Sequence, residues 1–297
     1  MKVAGIVVTY NRKTLLLENI EALLNQTRKD LLTIVIIDNN STDGTKEALE
    51  PYVKDNRIVY VNTEKNLGGA GGFHYGIRYA AEHDFDYIWV MDDDCIPTKN
   101  ALEAFLDASR KLDGEYGFLA SKVLWKNRDI CKMNVQRVSL WRNVHDWTTP
   151  LVPVIMSSFV SLFVPTKIVR EYGLPIKEFF IWTDDWEFTR RISRNLPCYL
   201  VNNSIVIHKS KNNFGANIAT EEADRLDRYN YLYRNDVCLY RREGLEGFLY
   251  ESLRIGLHTM KVLKDARNKK RDRLKKIYCA TYKGLSFHPT IEFPKYQ

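Results

Sequence analysis

Apolar strands alternate with helical stretches along the first third of this chain, and that alternation restricts the fold more than any other feature. Val3–Thr9 and Leu32–Asp38 are nearly continuous apolar runs, and residues 57–61 and 85–91 repeat the pattern more weakly. Between the first two runs, Leu16, Ile20, Leu23 and Leu24 recur at helical spacing, which predicts a helix over residues 13–26. A glycine-rich stretch opens a second helix over residues 69–82. Strands alternating with helices predict an α/β fold: a Rossmann-like, mixed but mostly parallel sheet flanked by helices. Ligands of such sheets bind at the C-terminal ends of the strands.

The strand ends carry the chemistry. The run Tyr87–Met91 leads directly into Asp92, Asp93 and Asp94. Adjacent carboxylates raise each other's pKa unless a cation neutralises them, and a hard divalent ion held by oxygen ligands does so. This reads as a metal site holding an acidic ligand such as a diphosphate; a solvated acidic turn is the plainer alternative. Three more polar segments follow strands: Thr9-Tyr10-Asn11-Arg12, residues 38–44 from Asp38 to Gly44, and residues 66–73 from Asn66 to Phe73. Together they suit a nucleotide. Thr9, Arg12, Asp38 and Asn66 line the pocket in this reading, with Asp38 accepting a hydrogen bond from a base imide and Arg12 reaching a phosphate or the base. Glycines such as Gly69 let the backbone approach a ligand closely. Taken singly, the glycine stretch is equally a turn or linker, and Asp43-Gly44 equally a helix cap.

The second half is less regular. Helices are expected over 98–112 and 184–194, and strands over 118–124, 157–164 and 199–208, with a loop over 127–153. From residue 221 to 276 the pattern is helical, interrupted near Gly244 and Gly247. This divides the chain into a catalytic unit of residues 1–215, in halves of about 1–97 and 98–215, and a helical extension, 216–297. The formal charge of +7 sits in that extension: residues 254–276 hold ten Lys/Arg and two Asp, leaving the remainder near −1. Leu257, Met260, Leu263, Leu274 and Ile277 are interleaved with these charges. Such a helix lies on an anionic bilayer or is simply solvated. No nucleic-acid recognition motif accompanies it. Five scattered cysteines without a C-x-x-C pair suit a reducing cytoplasm. No apolar run of spanning length and no secretory leader pattern are expected to interrupt this picture.

The segments VVTYNR, IIDNNSTDGT, NLGGAGGF and WVMDDD together resemble the family-2 inverting glycosyltransferases of GT-A fold, over about residues 1–210. NLGGAGGF followed by MDDD is most similar to the galactofuranosyltransferase branch, with rhamnosyltransferases close by. The stretch 179–188, FFIWTDDWEF, resembles the acceptor-site motif of that family, although Trp182 stands two residues before the Asp pair rather than immediately before it. The resemblance implies Asp185 as general base, with Trp182 and Asp184 on the acceptor side; helix capping is the plain alternative for the pair. It also implies His208, 23 residues beyond Asp185, as third ligand of Mn2+ or Mg2+ beside Asp92 and Asp94. Alternation along an extended segment turns Asp93 away from those two, toward a ribose or a structural partner. Tyr229, Tyr231 and Tyr233 resemble the tyrosine-rich helix of the family, yet their spacing splits them between faces. The expected activity is metal-dependent transfer of galactofuranose from UDP-galactofuranose to a hydroxyl of a cell-surface polysaccharide or lipid-linked glycan, at the inner face of the cell membrane. The alternatives are transfer of rhamnose from dTDP-rhamnose, or a catalytically inactive protein binding nucleotide, nucleic acid or membrane.

Overall fold

The computed structural model describes residues 1–295. Strand β1 (Val3–Thr9) lies between β2 (Leu32–Asp38) and β4 (Tyr87–Asp92), with β3 (Ile58–Asn62) outside β2, all parallel. Side chains of β1 alternate between two cores. Val3 and Val7 pack with Leu16, Ile20 and Leu23 of α1 (Lys13–Leu24) and with α4 (Ala101–Lys111). Ala4, Ile6 and Val8 pack on the other face with Phe73, Ile77 and Ala80 of α3 (Gly68–Glu82). A strand covered on both faces must be apolar throughout, as β1 and most of β2 are.

Beyond β4 the sheet becomes mixed. Strand β8 (Leu162–Pro165) runs antiparallel to β4 and to β6 (Leu119–Trp125), which is parallel to β9 (Tyr199–His208). Two three-residue strands pair antiparallel with β9: β7 (Leu151–Pro153) and β5 (Cys95–Pro97). The β5 pairing sets Cys95 opposite His208. It therefore brings the end of β9 alongside the residue that follows the acidic triplet.

Several expectations are corrected. Helix α2 (Thr45–Lys54) fills a stretch given no element; Thr45 and Leu49 are its buried residues, too few to display a period, and Pro51 lies within it. The apolar stretch 157–164 is a strand only from Leu162; Ser157, Ser158, Phe159 and Val160 are buried without pairing as a strand. An apolar run alone does not distinguish strand from buried loop. A short helix, α5 (Thr166–Tyr172), follows it, and α6 (Asp184–Ser193) starts at the expected acidic pair. The glycine stretch is no loop: Gly69, Gly71, Gly72 and Gly76 lie inside α3. A Cβ at Gly76 would sit 2.4 Å from Ile6 Cγ2, so its absence lets helix and strand close together.

The C-terminal region forms α7 (Tyr229–Tyr240), α8 (Gly244–Asp265) and α9 (Lys270–Ser286). Its breaks fall at 241–243 and 266–269, and Gly247 sits inside α8. Ile277 is fully buried, Leu274 packs beside it, and Arg254 and Arg273 point inward onto Asp236 and onto the Ile218 carbonyl. Leu257, Met260 and Leu263 are exposed. Among the described residues, no helix is long and apolar enough to cross a membrane. The chain then returns to the first half: Glu292 pairs with Arg78 and Lys177, and its carbonyl accepts the Leu174 N–H at 2.8 Å.

Candidate active site

The ends of β1 and β4, the start of α3, the loop before α6, the end of β9 and helices α7 and α8 enclose one cavity of about 720 Å³. Thr9, Arg12, Asn66, Gly69, Asp92, Asp93, Asp94, Trp182, Asp184, Asp185 and His208 all line it. Asp38 is the exception. It is fully buried, with one carboxylate oxygen accepting the Tyr60 hydroxyl at 2.7 Å and the other the Ser41 N–H at 2.8 Å. The wall there is formed by its neighbour Asn39. Asp43 also serves locally, accepting the Lys13 and Thr45 N–H groups at the starts of α1 and α2.

The triplet splits as alternation requires. Asp92, Asp94 and His208 each direct a ligand atom into one space, all within 4.8 Å of one another. Asp93 turns to Thr9, whose hydroxyl donates to it at 2.8 Å, and to Arg12 at 3.3 Å. Arg12 also pairs with Asp94 at 2.6 Å. Burial raises Asp92 to about 6 and Asp93 to about 7. Burial opposes ionisation of Asp94 too, but His208 and Arg12 outweigh it and hold its pKa below the usual carboxylate range. His208 Nε2 lies 3.1 Å from Asp94 Oδ1, and Nδ1 is 2.8 Å from Asn134 Oδ1. That partner fixes the ring with Nε2 facing the carboxylates.

These residues fit a hard divalent cation. Asp94 Oδ1 is buried and, apart from the ion-pairing contact with His208 Nε2, makes no hydrogen bond, which leaves it room to accept a further cation. Two carboxylates and one imidazole suit Mn2+ or Mg2+.

Across the cavity stand Asp184 and Asp185, at the first two positions of α6. Asp185 accepts the Trp186 N–H at 2.7 Å, as an anion at a helix N-terminus does. Burial, then the neighbouring carboxylate, raises Asp185 well above the ordinary value; burial also raises Asp184, to about 7. A carboxyl with a raised pKa is a stronger proton acceptor once ionised.

The loop leading to this pair is strained. Phe180, Trp182 and Thr183 all have positive φ, at 64°, 65° and 71°, conformations that cost non-glycine residues energy and persist when neighbours enforce them. Asn235 of α7 is the enforcer: its amide donates to the carbonyls of Phe179, Ile181 and Trp182 at 3.0, 3.2 and 3.0 Å. The Thr183 hydroxyl donates to Asp236 at 2.7 Å. From the other side, the Phe180 carbonyl accepts the Ala70 N–H at 3.1 Å. Gly68 has φ +72°, and a Cβ there would lie 2.1 Å from that same carbonyl oxygen.

Residues 6–118 match the family described as Glycosyl transferase family 2. The chain carries a family-2 glycosyltransferase domain over that segment. It is similar to the galactofuranosyltransferase GlfT1 of Mycolicibacterium smegmatis, 26% identical over 277 residues, covering 86% of this chain and 88% of that protein. Among solved structures it is similar to S. aureus TarS, with a TM-score of 0.57 at 17% identity over 97% of this chain and 44% of the other. A structure of GalNAc-T7 with UDP, GalNAc and Mn2+ gives a TM-score of 0.61 at 15% identity, over 79% of this chain and 47% of that one. The transferase has the GT-A fold, as its first half predicts.

Several cavity residues of this transferase escape sequence reasoning: Asn134, Arg137, Ser158, Arg228, Asp236, Tyr240 and Arg254. They come from irregular loops or from α7 and α8, where no pattern marks them. Of the tyrosines, Tyr229 and Tyr233 are buried among the C-terminal helices and Tyr231 stacks on Phe180 at 5.0 Å; they pack rather than line the cavity.

Proposed function

We propose that this transferase moves galactofuranose from UDP-galactofuranose, with inversion, to a hydroxyl of a glycan or lipid-linked glycan. One observation carries the reading: the Asp92–Asp94–His208 set and the Asp184–Asp185 pair line one cavity, near enough for the charge of Asp92 to act on both members of the pair. The similarity to GlfT1 along most of both chains supports the choice of sugar, and the UDP and Mn2+ of GalNAc-T7 support the donor class and the ion.

In this reading Thr9, Arg12, Asn66 and Gly69 flank the nucleotide, and Asp93 orients Thr9 and Arg12 or meets the ribose. Asp92, Asp94 and His208 would hold the cation. When bound, it supplies Lewis-acid stabilisation of the diphosphate leaving group. Asp185 takes the proton from the acceptor hydroxyl as its oxygen attacks the anomeric carbon, while Asp184 and Trp182 orient the acceptor. Residues 1–215 form the catalytic unit, and the helices beyond it complete the cavity wall. Incubation with UDP-galactofuranose, dTDP-rhamnose and other nucleotide sugars in the presence of Mn2+, read by product mass, tests the donor. Transfer from UDP-galactofuranose is expected. Turnover of dTDP-rhamnose in its place would overturn the sugar assignment, and no transfer from any donor would overturn the activity.

The same reading puts the enzyme at the inner face of the cell membrane. The exposed Leu257, Met260 and Leu263 lie beside exposed Lys261, Lys264, Lys270 and Arg271. Each basic residue near an anionic surface contributes about 1 kcal/mol, and added salt screens that attraction. Co-sedimentation with anionic vesicles should fall as salt rises, and fall further in the variant carrying Leu257→Ser, Met260→Ser and Leu263→Ser. Equal binding to neutral vesicles would leave this face simply solvated.

A further inference from the structure

The cavity wall contains four guanidinium groups, and they are not equivalent. Arg12 is paired with Asp93 and Asp94, and Arg254 with Asp236 and Glu251. Arg137 lies over the rings of Trp186 and Tyr250, with Nη1 donating to the Leu140 carbonyl at 2.8 Å. Arg228 has no such anchor. Among the described residues no carboxylate lies within ion-pairing distance of it, and its side chain makes no hydrogen bond. It lies over the face of Trp182, 4.8 Å from the ring centre. Of the acids on its own segment, Glu221 instead accepts the hydroxyl of Tyr229, Glu222 pairs with Arg225 and Asp227 with Lys276.

A half-buried cation without a counterion is costly, and here its neighbours add to the cost. Burial, then the nearby guanidinium of Arg225, and more weakly that of Arg12, depress its pKa, against Glu221 and Tyr229. Arg228 lines the same cavity as Arg12, Asp92 and Asp94. Arg12 is itself bound to Asp93 and Asp94, so its charge is already met, whereas that of Arg228 is not. An anion arriving in the cavity would supply the counterion that Arg228 lacks. Stacking on Trp182 holds the guanidinium plane in place, and a guanidinium binds phosphate oxygens in a two-pronged, charge-assisted manner.

We infer that Arg228, contributed by the C-terminal helical region, binds the diphosphate of the nucleotide-sugar donor in the cavity it shares with Asp92, Asp94 and His208. The inference rests on the donor reading above, because a nucleoside diphosphate is the anion which that reaction brings to this wall. It makes the C-terminal region part of the donor site and not only a platform beside it.

Calorimetry on the full chain with Mn2+, using UDP, uridine and inorganic pyrophosphate as probes, tests this. In Arg228→Gln the affinities for UDP and pyrophosphate should fall roughly 10- to 100-fold, the loss expected of a hydrogen bond to a charged group, with uridine unaffected. Unchanged UDP and pyrophosphate affinities would overturn the assignment. The wild-type protein gives a second measurement that does not depend on the variant's folding. Phenylglyoxal labelling of Arg228, read by mass spectrometry, should be suppressed by UDP and by pyrophosphate but not by uridine; labelling that neither suppresses would overturn the assignment. Wild-type protein that binds pyrophosphate but not UDP would keep Arg228 in this role and overturn the uridine-diphosphate donor. Protein that binds neither would overturn both.

Discussion

Asp185→Asn should lower turnover by roughly 10²–10⁴-fold, the usual size of general-base catalysis, while UDP binding stays near the wild-type level. The substitution keeps the shape of the side chain and an oxygen to accept the Trp186 N–H; it removes the proton acceptor. Steady-state rates combined with calorimetry separate the two effects, and a variant that loses UDP affinity but keeps its turnover would move Asp185 to the donor side. A pH profile adds an independent check. Asp185 works as a base only when ionised, and burial raises its pKa. The rate should therefore fall as pH drops through a value above the ordinary carboxylate pKa of about 4. Burial, the largest cause of that shift, persists whatever occupies the cavity. An acid limb at or below the ordinary value would contradict the assignment.

The second large effect is expected at the cation site. Asp94→Ala removes the carboxylate that joins His208, Arg12 and the cavity. Metal-dependent turnover should fall to background in EDTA-treated protein titrated with Mn2+, and Mn2+ binding followed by electron paramagnetic resonance should disappear with it. Asn134→Ala gives a graded comparison. It leaves all three ligand atoms in place but frees the His208 ring, and outer-shell losses of this kind cost roughly 10–100-fold in metal affinity. Wild-type activity in Asp94→Ala after Mn2+ is restored would remove this residue from the site.

Much of this was legible in the residues because the physics behind it is local. The bounds of β1 and β2 follow from apolar runs buried on both faces. The turning of Asp93 away from Asp92 and Asp94 follows from the two-residue repeat of an extended segment. What stayed hidden depends on distant pairing. Cys95–Pro97 is too short to declare itself a strand, yet its register with β9 brings His208 to the triplet; only a family resemblance suggested that partner. Asp38 ends its strand, but its hydrogen-bond partners Tyr60 and Ser41 cannot be read from the run itself. Ile277 and Arg273 read as part of a surface-binding stripe until α9 is seen to turn them inward. Nothing in the run from Tyr229 to Asn235 announces that the last residue braces a strained loop 53 to 56 positions earlier.

The close approach of Gly68 to Phe180 changes how an alanine scan of this enzyme must be read. Residue 68 belongs by sequence to the nucleotide half, and a loss of activity there would ordinarily be ascribed to the donor. Yet the first atom any replacement adds would collide with the carbonyl of Phe180, and the displaced loop carries Asp184 and Asp185. Kinetic defects mapped to the glycine helix would then report on proton abstraction as much as on nucleotide affinity. Only measurements that resolve the two substrates separately can assign such a defect to one half of the cavity.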